Sequence, residues 1–125
     1  IAIALESKCG DAKGQLLDFN SDGQVLDLMP TVQQIMDGYV HGESVASLAA
    51  SFHKTLAIAI CEVGADLCER YGIDDVCISG GVFQNRKLLN LLQHKWHHGN
   101  LYVNKKVPCN DGGLSLGQLW IAHHT

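Results

Sequence analysis

Apolar residues in the second half of the chain form one long helical stripe followed by short runs. Between residues 45 and 67 they recur every three or four positions, which predicts an amphipathic helix that begins after Ser44 and ends at Gly72. A short apolar run predicts a buried strand at residues 75–79. The segments after it predict a helix, a strand and a closing helix, at residues 84–98, 101–103 and 114–123. This alternation predicts an α/β fold with a mainly parallel sheet flanked by helices.

The first half of the chain predicts shorter elements. Residues 1–8 have the pattern of a helix end, and residues 15–19 and 24–29 alternate around a polar Asp-Gly turn, which predicts a hairpin. Thr31 is expected to cap a short helix. Its predicted inward residues are Val32, Ile35, Met36 and Tyr39. The sequence starts with apolar residues, without methionine or a capping residue, so we expect a piece of a longer protein.

Composition narrows the class of protein. The chain has 125 residues, the size of one domain, of which 46% are hydrophobic and 18% charged, as in a globular core. A net charge of −4 without a basic run argues against nucleic-acid binding. We see no apolar stretch of membrane-spanning length and no signal peptide, so we expect a cytoplasmic protein.

The five cysteines predict neither a disulfide framework nor a zinc ribbon, because no two form a C-x-x-C pair. Cys61, Cys68 and Cys77 are expected to act as small buried hydrophobic residues. Cys109 could accept an acyl group transiently, but an inert loop cysteine is the simpler interpretation.

Two glycines follow the predicted strand and precede the predicted helix. We call residues 79–85 the glycine turn; it contains Ser79, Gly80, Gly81, Val82 and Asn85. Unpaired N–H groups at a helix N-terminus attract anions, so this turn predicts a phosphate site. An ordinary strand-to-helix turn has the same pattern, and both interpretations stay open.

A second loop, residues 108–113, carries Asp111 and is called the acidic loop here. Loops that leave the carboxyl ends of parallel strands meet at one edge of a sheet, so the two loops should face one crevice. A carboxylate beside a phosphate site often holds a metal cation. The alternative is that Asp111 caps the last helix.

Together, Ser-Gly-Gly-Val-Phe-Gln-Asn in the glycine turn and Pro-Cys-Asn-Asp-Gly-Gly-Leu-Ser-Leu-Gly-Gln at 108–118 resemble the C-terminal part of the HypF carbamoyltransferases. Ala4-Leu5-Glu6, Phe52-His53 and the link from Leu88 to Val103 agree in order and spacing. The resemblance implies that residues 1–125 are the second lobe of a threonylcarbamoyltransferase-like domain. That lobe has the actin, sugar-kinase and Hsp70 type of fold.

The resemblance also implies a function. HypF makes carbamoyl-adenylate with ATP and passes the carbamoyl group to the C-terminal cysteine of HypE during nickel-iron hydrogenase maturation. Ser79, Gly80, Gly81, Val82 and Asn85 would bind the nucleotide. Asp111 would hold an iron or zinc ion that two upstream histidines complete. The nucleophile belongs to HypE, so no catalytic residue is assigned to this chain. Without the rest of HypF we expect little or no turnover.

Three histidines could suggest another metal or catalytic site. His94 and His98 stand four apart in the predicted helix, but at its last turn they are expected to face water. His53 is expected to pack against the sheet. Two other functions stay open: a tRNA threonylcarbamoyl or small-molecule carbamoyl transferase, and a non-catalytic lobe that binds a nucleotide or a partner.

Overall fold

The fold consists mainly of helices, with two short strand pairs. A computed structural model describes residues 2–124. The first half contains α1 (Ala2–Cys9), β1 (Asn20–Ser21), β2 (Leu26–Asp27) and α2 (Met29–Val40). The second half contains α3 (Val45–Tyr71), β3 (Asp75–Ile78), α4 (Arg86–Lys95), β4 (Asn100–Val103) and α5 (Leu114–His124). Short 3₁₀ turns precede α4 and α5, at Gly81–Gln84 and Asp111–Gly113.

Helix α3 is the centre of the packing, as its apolar stripe predicted. The Ser44 hydroxyl accepts a hydrogen bond from the Ser47 N–H, and the helix ends at Gly72, so both predicted ends are confirmed. Helices α1, α2 and α4 all pack against α3. The buried core forms two clusters along it, Cys9, Ala49 and Ala50 at one end and Ala57, Leu88 and Leu92 at the other.

The length and hydropathy of α3 correct one expectation. Within residues 2–124, this helix of 27 residues, with a mean hydropathy of 1.3 over its most apolar window, is long and apolar enough to cross a membrane. Length and composition alone are weak evidence, since the core helix of a globular domain passes the same test. Here 44% of that window is buried inside the fold, under α1, α2 and α4. Packing within the domain therefore accounts for its apolar character.

The predicted parallel sheet is present only as one pair of strands. β3 and β4 run parallel, with Asp75 opposite Asn100 and Ile78 opposite Val103. The other pair in residues 2–124, β1 and β2, is antiparallel and two residues long. The predicted strand at 15–19 does not form, because α3 takes its hydrogen bonds. The Gln15 N–H donates to Ser51 Oγ and the Leu17 N–H donates to Thr55 Oγ1, each at 2.9 Å.

One face of the β3–β4 pair is open. Cys77 and Tyr102 are exposed on that face, whereas Ile78 packs into the cluster of Leu88 and Leu92 on the other. Alternation along a strand sends neighbouring side chains to opposite faces. The expectation that Cys77 is buried is therefore wrong. Cys68 is buried as expected and Cys61 is half-buried.

Helix α2 differs from its predicted form at both its start and its inward face. It begins at Met29, with Pro30 in its first turn, and Thr31 does not cap it. The buried Thr31 hydroxyl instead donates to the Asp18 carbonyl at 2.6 Å. Val32, Met36 and Tyr39 were predicted to face inward but are exposed.

Helix α4 ends earlier than predicted. Its last residue is Lys95, and Trp96 follows in an extended conformation. His94 is therefore in the last turn, but His98 lies beyond the helix. The two histidines do not form an i, i+4 pair on one helix.

Candidate functional site

The glycine turn and the acidic loop meet at one crevice, as predicted. They follow β3 and β4, and because these strands are parallel their carboxyl ends lie at the same edge. The Gly80 N–H donates to the Cys109 carbonyl at 2.7 Å and joins the two loops directly. The crevice has a volume of about 420 Å³. It is lined by both loops together with Asn104, Val107 and one face of α5, formed by Leu114, Gly117, Gln118 and Ile121.

The backbone of the glycine turn bends sharply at Gly80, which has φ 112° and ψ 160°. This region of backbone space is essentially restricted to glycine. Residues 81–84 then form the 3₁₀ turn, with hydrogen bonds from the Phe83 N–H to the Gly80 carbonyl and from the Asn85 N–H to the Val82 carbonyl. The Gly81 and Val82 N–H groups find no acceptor within residues 2–124. They are the donors left for a ligand, because the Gly80 N–H is already used.

The five predicted nucleotide-binding residues divide into two groups. Ser79 and Gly80 line the crevice beside Asp111. Gly81, Val82 and Asn85 follow along the turn, outside the lining. The side chain of Asn85 points back into the protein. Its Oδ1 accepts from the Leu88 N–H at 2.9 Å and caps α4, while its Nδ2 lies 2.8 Å from His53 Nε2.

Asp111 does not cap the last helix. The neighbouring Asn110 caps the 3₁₀ turn that precedes this helix, with its Oδ1 accepting from the Gly112 N–H at 3.0 Å. Asp111 is exposed on the crevice, and within residues 2–124 its carboxylate has no hydrogen bond or ion pair. The capping interpretation of Asp111 is thus wrong, and Asp111 borders the crevice with no hydrogen bond or ion pair of its side chain within residues 2–124.

A metal ion needs more ligands than this part of the chain brings together. Within residues 2–124 no group of three or more His, Cys, Asp or Glu side chains could hold an ion. Zinc sites take three protein ligands when they are catalytic and four when they are structural. The residues described here therefore do not form a metal site by themselves, and Asp111 offers one carboxylate.

Glu6 is a site residue whose place the sequence did not reveal. Its Oε1 accepts from the Lys87 N–H at 3.2 Å, so a carboxylate of α1 lies at the N-terminus of α4. The Lys87 ammonium in turn donates to the Gly10 carbonyl at 2.9 Å. Negative charge is favourable at this end of a helix. The α4 N-terminus is consequently occupied by protein groups, which leaves the unpaired Gly81 and Val82 N–H groups of the 3₁₀ turn before it as the donors open to a ligand.

Two groups with shifted pKa values lie outside the crevice. Hydrogen bonds from the Val25 and Gln24 N–H groups lower the pKa of Asp22, an exposed residue in the hairpin turn. Burial raises the pKa of the Cys61 thiol, with Lys95 opposing the effect. Their locations give neither group a role in the crevice.

Comparison with known proteins gives a consistent family. The family model described as the carbamoyltransferase Kae1-like domain, second subdomain, matches residues 1–118. The carbamoyltransferase HypF of Rhodobacter capsulatus is 31% identical and is matched over 97% of this chain and 16% of its own length. A carbamoyltransferase HypF homolog of Cupriavidus necator is 33% identical over 97% of this chain and 34% of its own length.

A solved structure agrees with these relatives. A full-length HypF in the phosphate- and nucleotide-bound form superposes with a TM-score of 0.84 and 35% identity, over 97% of this chain and 17% of that one. The chain thus spans 16% to 34% of the length of these relatives. Since the family match runs through both the glycine turn and the acidic loop, the chain belongs to the HypF carbamoyltransferases, as the second subdomain of their Kae1-like domain.

Proposed function

We propose that this chain forms the nucleotide-facing part of a cytoplasmic HypF-type carbamoyltransferase. In this proposal a carbamoyl group passes from carbamoyl-adenylate to the C-terminal cysteine of a HypE-type protein during nickel-iron hydrogenase maturation. The observation that carries it is the junction of the two loops, where the Gly80 N–H bonds the Cys109 carbonyl beside Asp111. The nucleotide-bound form of the full-length HypF relative supports a nucleotide as the ligand class.

The glycine turn would bind and orient the adenylate. Gly81 and Val82 carry the unpaired N–H groups, which suit phosphate oxygens, and Ser79 and Gly80 form the adjoining wall. Asn85 holds the turn to α4 from behind. The partner's thiolate sulfur attacks the carbamoyl carbon, the bond from that carbon to the phosphate oxygen breaks, and AMP leaves with the electron pair. The chain's own part is to position the acyl donor for that attack.

Asp111 is proposed as one ligand of an iron or zinc ion, with two histidines from outside residues 2–124 as the others. A bound cation would neutralise phosphate charge next to the glycine turn. The position of Asp111 supports this role, because its exposed carboxylate borders the same crevice as Ser79 and Gly80.

The surroundings of the crevice support dependence on another subdomain. Asp111, Gly112 and Leu114 are exposed, and an open cleft makes few of the contacts that a ligand needs. We therefore propose that the domain is one lobe of an actin, sugar-kinase and Hsp70 type of fold and that these 125 residues alone show little turnover. A tRNA threonylcarbamoyl or small-molecule carbamoyl transferase and a non-catalytic binding lobe are the alternatives.

Transfer of the carbamoyl group from supplied carbamoyl-adenylate to a peptide with the C-terminal sequence of a HypE protein separates these possibilities. It is measured with the chain alone and with the first subdomain of a full-length HypF relative added. Transfer only in the mixture supports the proposal. Transfer by the chain alone would show that the essential ligands have been misplaced. ATP binding without transfer in either case would favour the non-catalytic lobe.

The substitution Asp111→Asn tests the metal ligand. In the mixture with zinc present, we expect Asp111→Asn to bind ATP about tenfold more weakly than wild type. Tenfold is the lower end of the loss of metal affinity or activity that follows when a hydrogen-bonding partner of a metal ligand is removed. With a chelator in place of zinc, wild type and variant should bind equally. Both affinities are measured by calorimetric titration.

Asp66→Asn is the matched control for Asp111→Asn. It also removes one exposed carboxylate, but that residue bonds Arg70 on α3, away from the crevice. Its ATP affinity should equal that of wild type with and without zinc. An Asp111→Asn chain that behaves like Asp66→Asn would contradict the assignment.

A further inference from the structure

We infer that His53 is a positioning residue of the glycine turn and acts through the amide of Asn85. His53 lies in the middle of α3 and is 3% exposed, whereas the other six histidines are exposed. An imidazole carries two ring nitrogens that need partners when buried. Both nitrogens of His53 have one, the Ala49 carbonyl at 2.8 Å from Nδ1 and the Asn85 amide at 2.8 Å from Nε2.

The partners determine where the proton of His53 sits. A carbonyl oxygen only accepts, so the Nδ1 that faces Ala49 carries the hydrogen. The Leu88 N–H needs an oxygen, which fixes Asn85 Oδ1 on that side and turns its NH₂ group toward His53. Nε2 therefore accepts and carries no hydrogen. The imidazole is neutral, and its tautomer and the Asn85 amide orientation determine each other.

Capping alone does not explain asparagine at position 85. A serine or aspartate oxygen would serve the Leu88 N–H equally well. The NH₂ group is the part that only an amide provides here, and His53 is its acceptor. The pair therefore links the buried helix α3 to the first residue before α4.

From Asn85 the link continues to the crevice. The Asn85 N–H donates to the Val82 carbonyl, the Phe83 N–H donates to the Gly80 carbonyl, and the Gly80 N–H donates to the Cys109 carbonyl. No heavy atom lies within 4 Å of where a Cβ on Gly80 or Gly81 would be. The outer side of the turn is thus unsupported, and its position is set from behind by these bonds and by Phe83, which packs into the core.

The inference rests on the proposed function in one respect, which is that the ligand of the glycine turn is a nucleotide. Loss of the His53 acceptor should leave the Asn85 amide unpaired and loosen the turn. The test substitution is His53→Phe, which keeps a flat ring but has no acceptor, with His53→Gln as the variant that keeps one. Thr55→Val is the control, because Thr55 is also fully buried on α3 and its lost bond, to the Leu17 N–H, is remote from the turn.

Three measurements test whether His53 positions the glycine turn. ¹⁵N NMR should show His53 as the neutral tautomer with its hydrogen on Nδ1. In Asn85→Asp it should show an imidazolium, because an oxygen then faces Nε2. Amide hydrogen exchange at Gly80, Phe83 and Asn85 should be about tenfold faster in His53→Phe than in Thr55→Val, as for one lost hydrogen bond. In the mixture with the first subdomain, His53→Phe should bind ATP about tenfold more weakly than wild type, and His53→Gln should recover part of that affinity.

Failure of the inference and failure of the proposed function give different results. A hydrogen on Nε2 in wild type, or equal exchange in His53→Phe and Thr55→Val, would overturn the positioning role. A wild-type protein that binds no ATP even when mixed with the first subdomain of a full-length HypF relative, yet shows the expected tautomer and exchange difference, would reject the nucleotide and keep the role of His53. If His53→Phe does not fold, the NMR of wild type and of Asn85→Asp decides instead: a wild-type hydrogen on Nε2, or a neutral imidazole in Asn85→Asp, would overturn the positioning role.

Discussion

Gly14→Ala is expected to lower the free energy of unfolding by about 3 kcal/mol, the upper end of the range for overpacking a filled site. A Cβ on Gly14 would overlap the carbonyl group of Ala50, inside the backbone of α3. The loop must move away from the helix to make room. Such a movement also weakens the bonds that the loop makes with Ser51 and Thr55, and the bond from Lys54 Nζ to the Gly14 carbonyl at 3.1 Å.

Urea unfolding followed by circular dichroism measures this change. Gly117→Ala is the matched control, because it lies inside α5 and a Cβ there would contact no atom of residues 2–124 beyond its chain neighbours and the backbone of its own helix. Alanine is favoured over glycine inside a helix by about 0.8–1 kcal/mol, so this control should be neutral or stabilising. A Gly14→Ala protein as stable as Gly117→Ala would mean that the loop does not contact α3 as closely as described.

Gly80→Ala should both destabilise the fold and weaken nucleotide binding. Space is available for a methyl group, but a φ of 112° with a ψ of 160° is strained for any other residue, at a cost of about 1–3 kcal/mol. The strain is relieved if the turn rotates, which breaks the bond between the Gly80 N–H and the Cys109 carbonyl. The loops would then separate, and we expect ATP affinity to fall about 30-fold, the equivalent of 2 kcal/mol.

Calorimetric titration with ATP and urea unfolding together test this prediction. Gly81→Ala is the control for stability, since its φ is not in the positive region and no heavy atom lies within 4 Å of the added Cβ. It should change the free energy of unfolding by less than about 0.5 kcal/mol. Equal stability of the two variants would refute the backbone argument, whatever their affinity for ATP.

The second half of the fold could be predicted because its signals are local. The serine before α3, the glycine after it and the apolar run of β3 each act on neighbouring backbone, so their effect does not depend on the rest of the chain. The meeting of the two loops followed from the same signals, because parallel strands place their carboxyl ends together.

The predictions that were wrong concern residues whose structure depends on groups far away in the sequence. Thr31 has the chemistry of a helix cap, yet the Asp18 carbonyl takes its hydroxyl. Residues 15–19 have the alternation of a strand, yet hydroxyls of α3 take their N–H groups. The apolar residues of α2 were assumed to face the core, but periodicity shows only that a helix has an apolar face, and not what covers that face.

At the candidate site, too, contacts between residues decided what the local sequence pattern left open. Asp111 and Asn110 are both good capping residues, and only the geometry shows that the asparagine caps the 3₁₀ turn and leaves the aspartate bordering the crevice. His53 and Asn85 are 32 residues apart in sequence, and nothing in either local pattern indicates that they share a hydrogen bond. Their pairing depends on how α3 and α4 pack, which the sequence pattern did not specify.

The bond between Gly80 and Cys109 uses main-chain atoms on both sides. A scan that replaces each side chain by alanine leaves the Cys109 carbonyl in place, so a neutral result at position 109 says nothing about the join between the loops. Replacing the peptide bond between Ser79 and Gly80 by an ester puts an oxygen in place of that N–H and leaves every side chain unchanged. Chemical synthesis or semisynthesis of the backbone is thus the direct means of examining this contact.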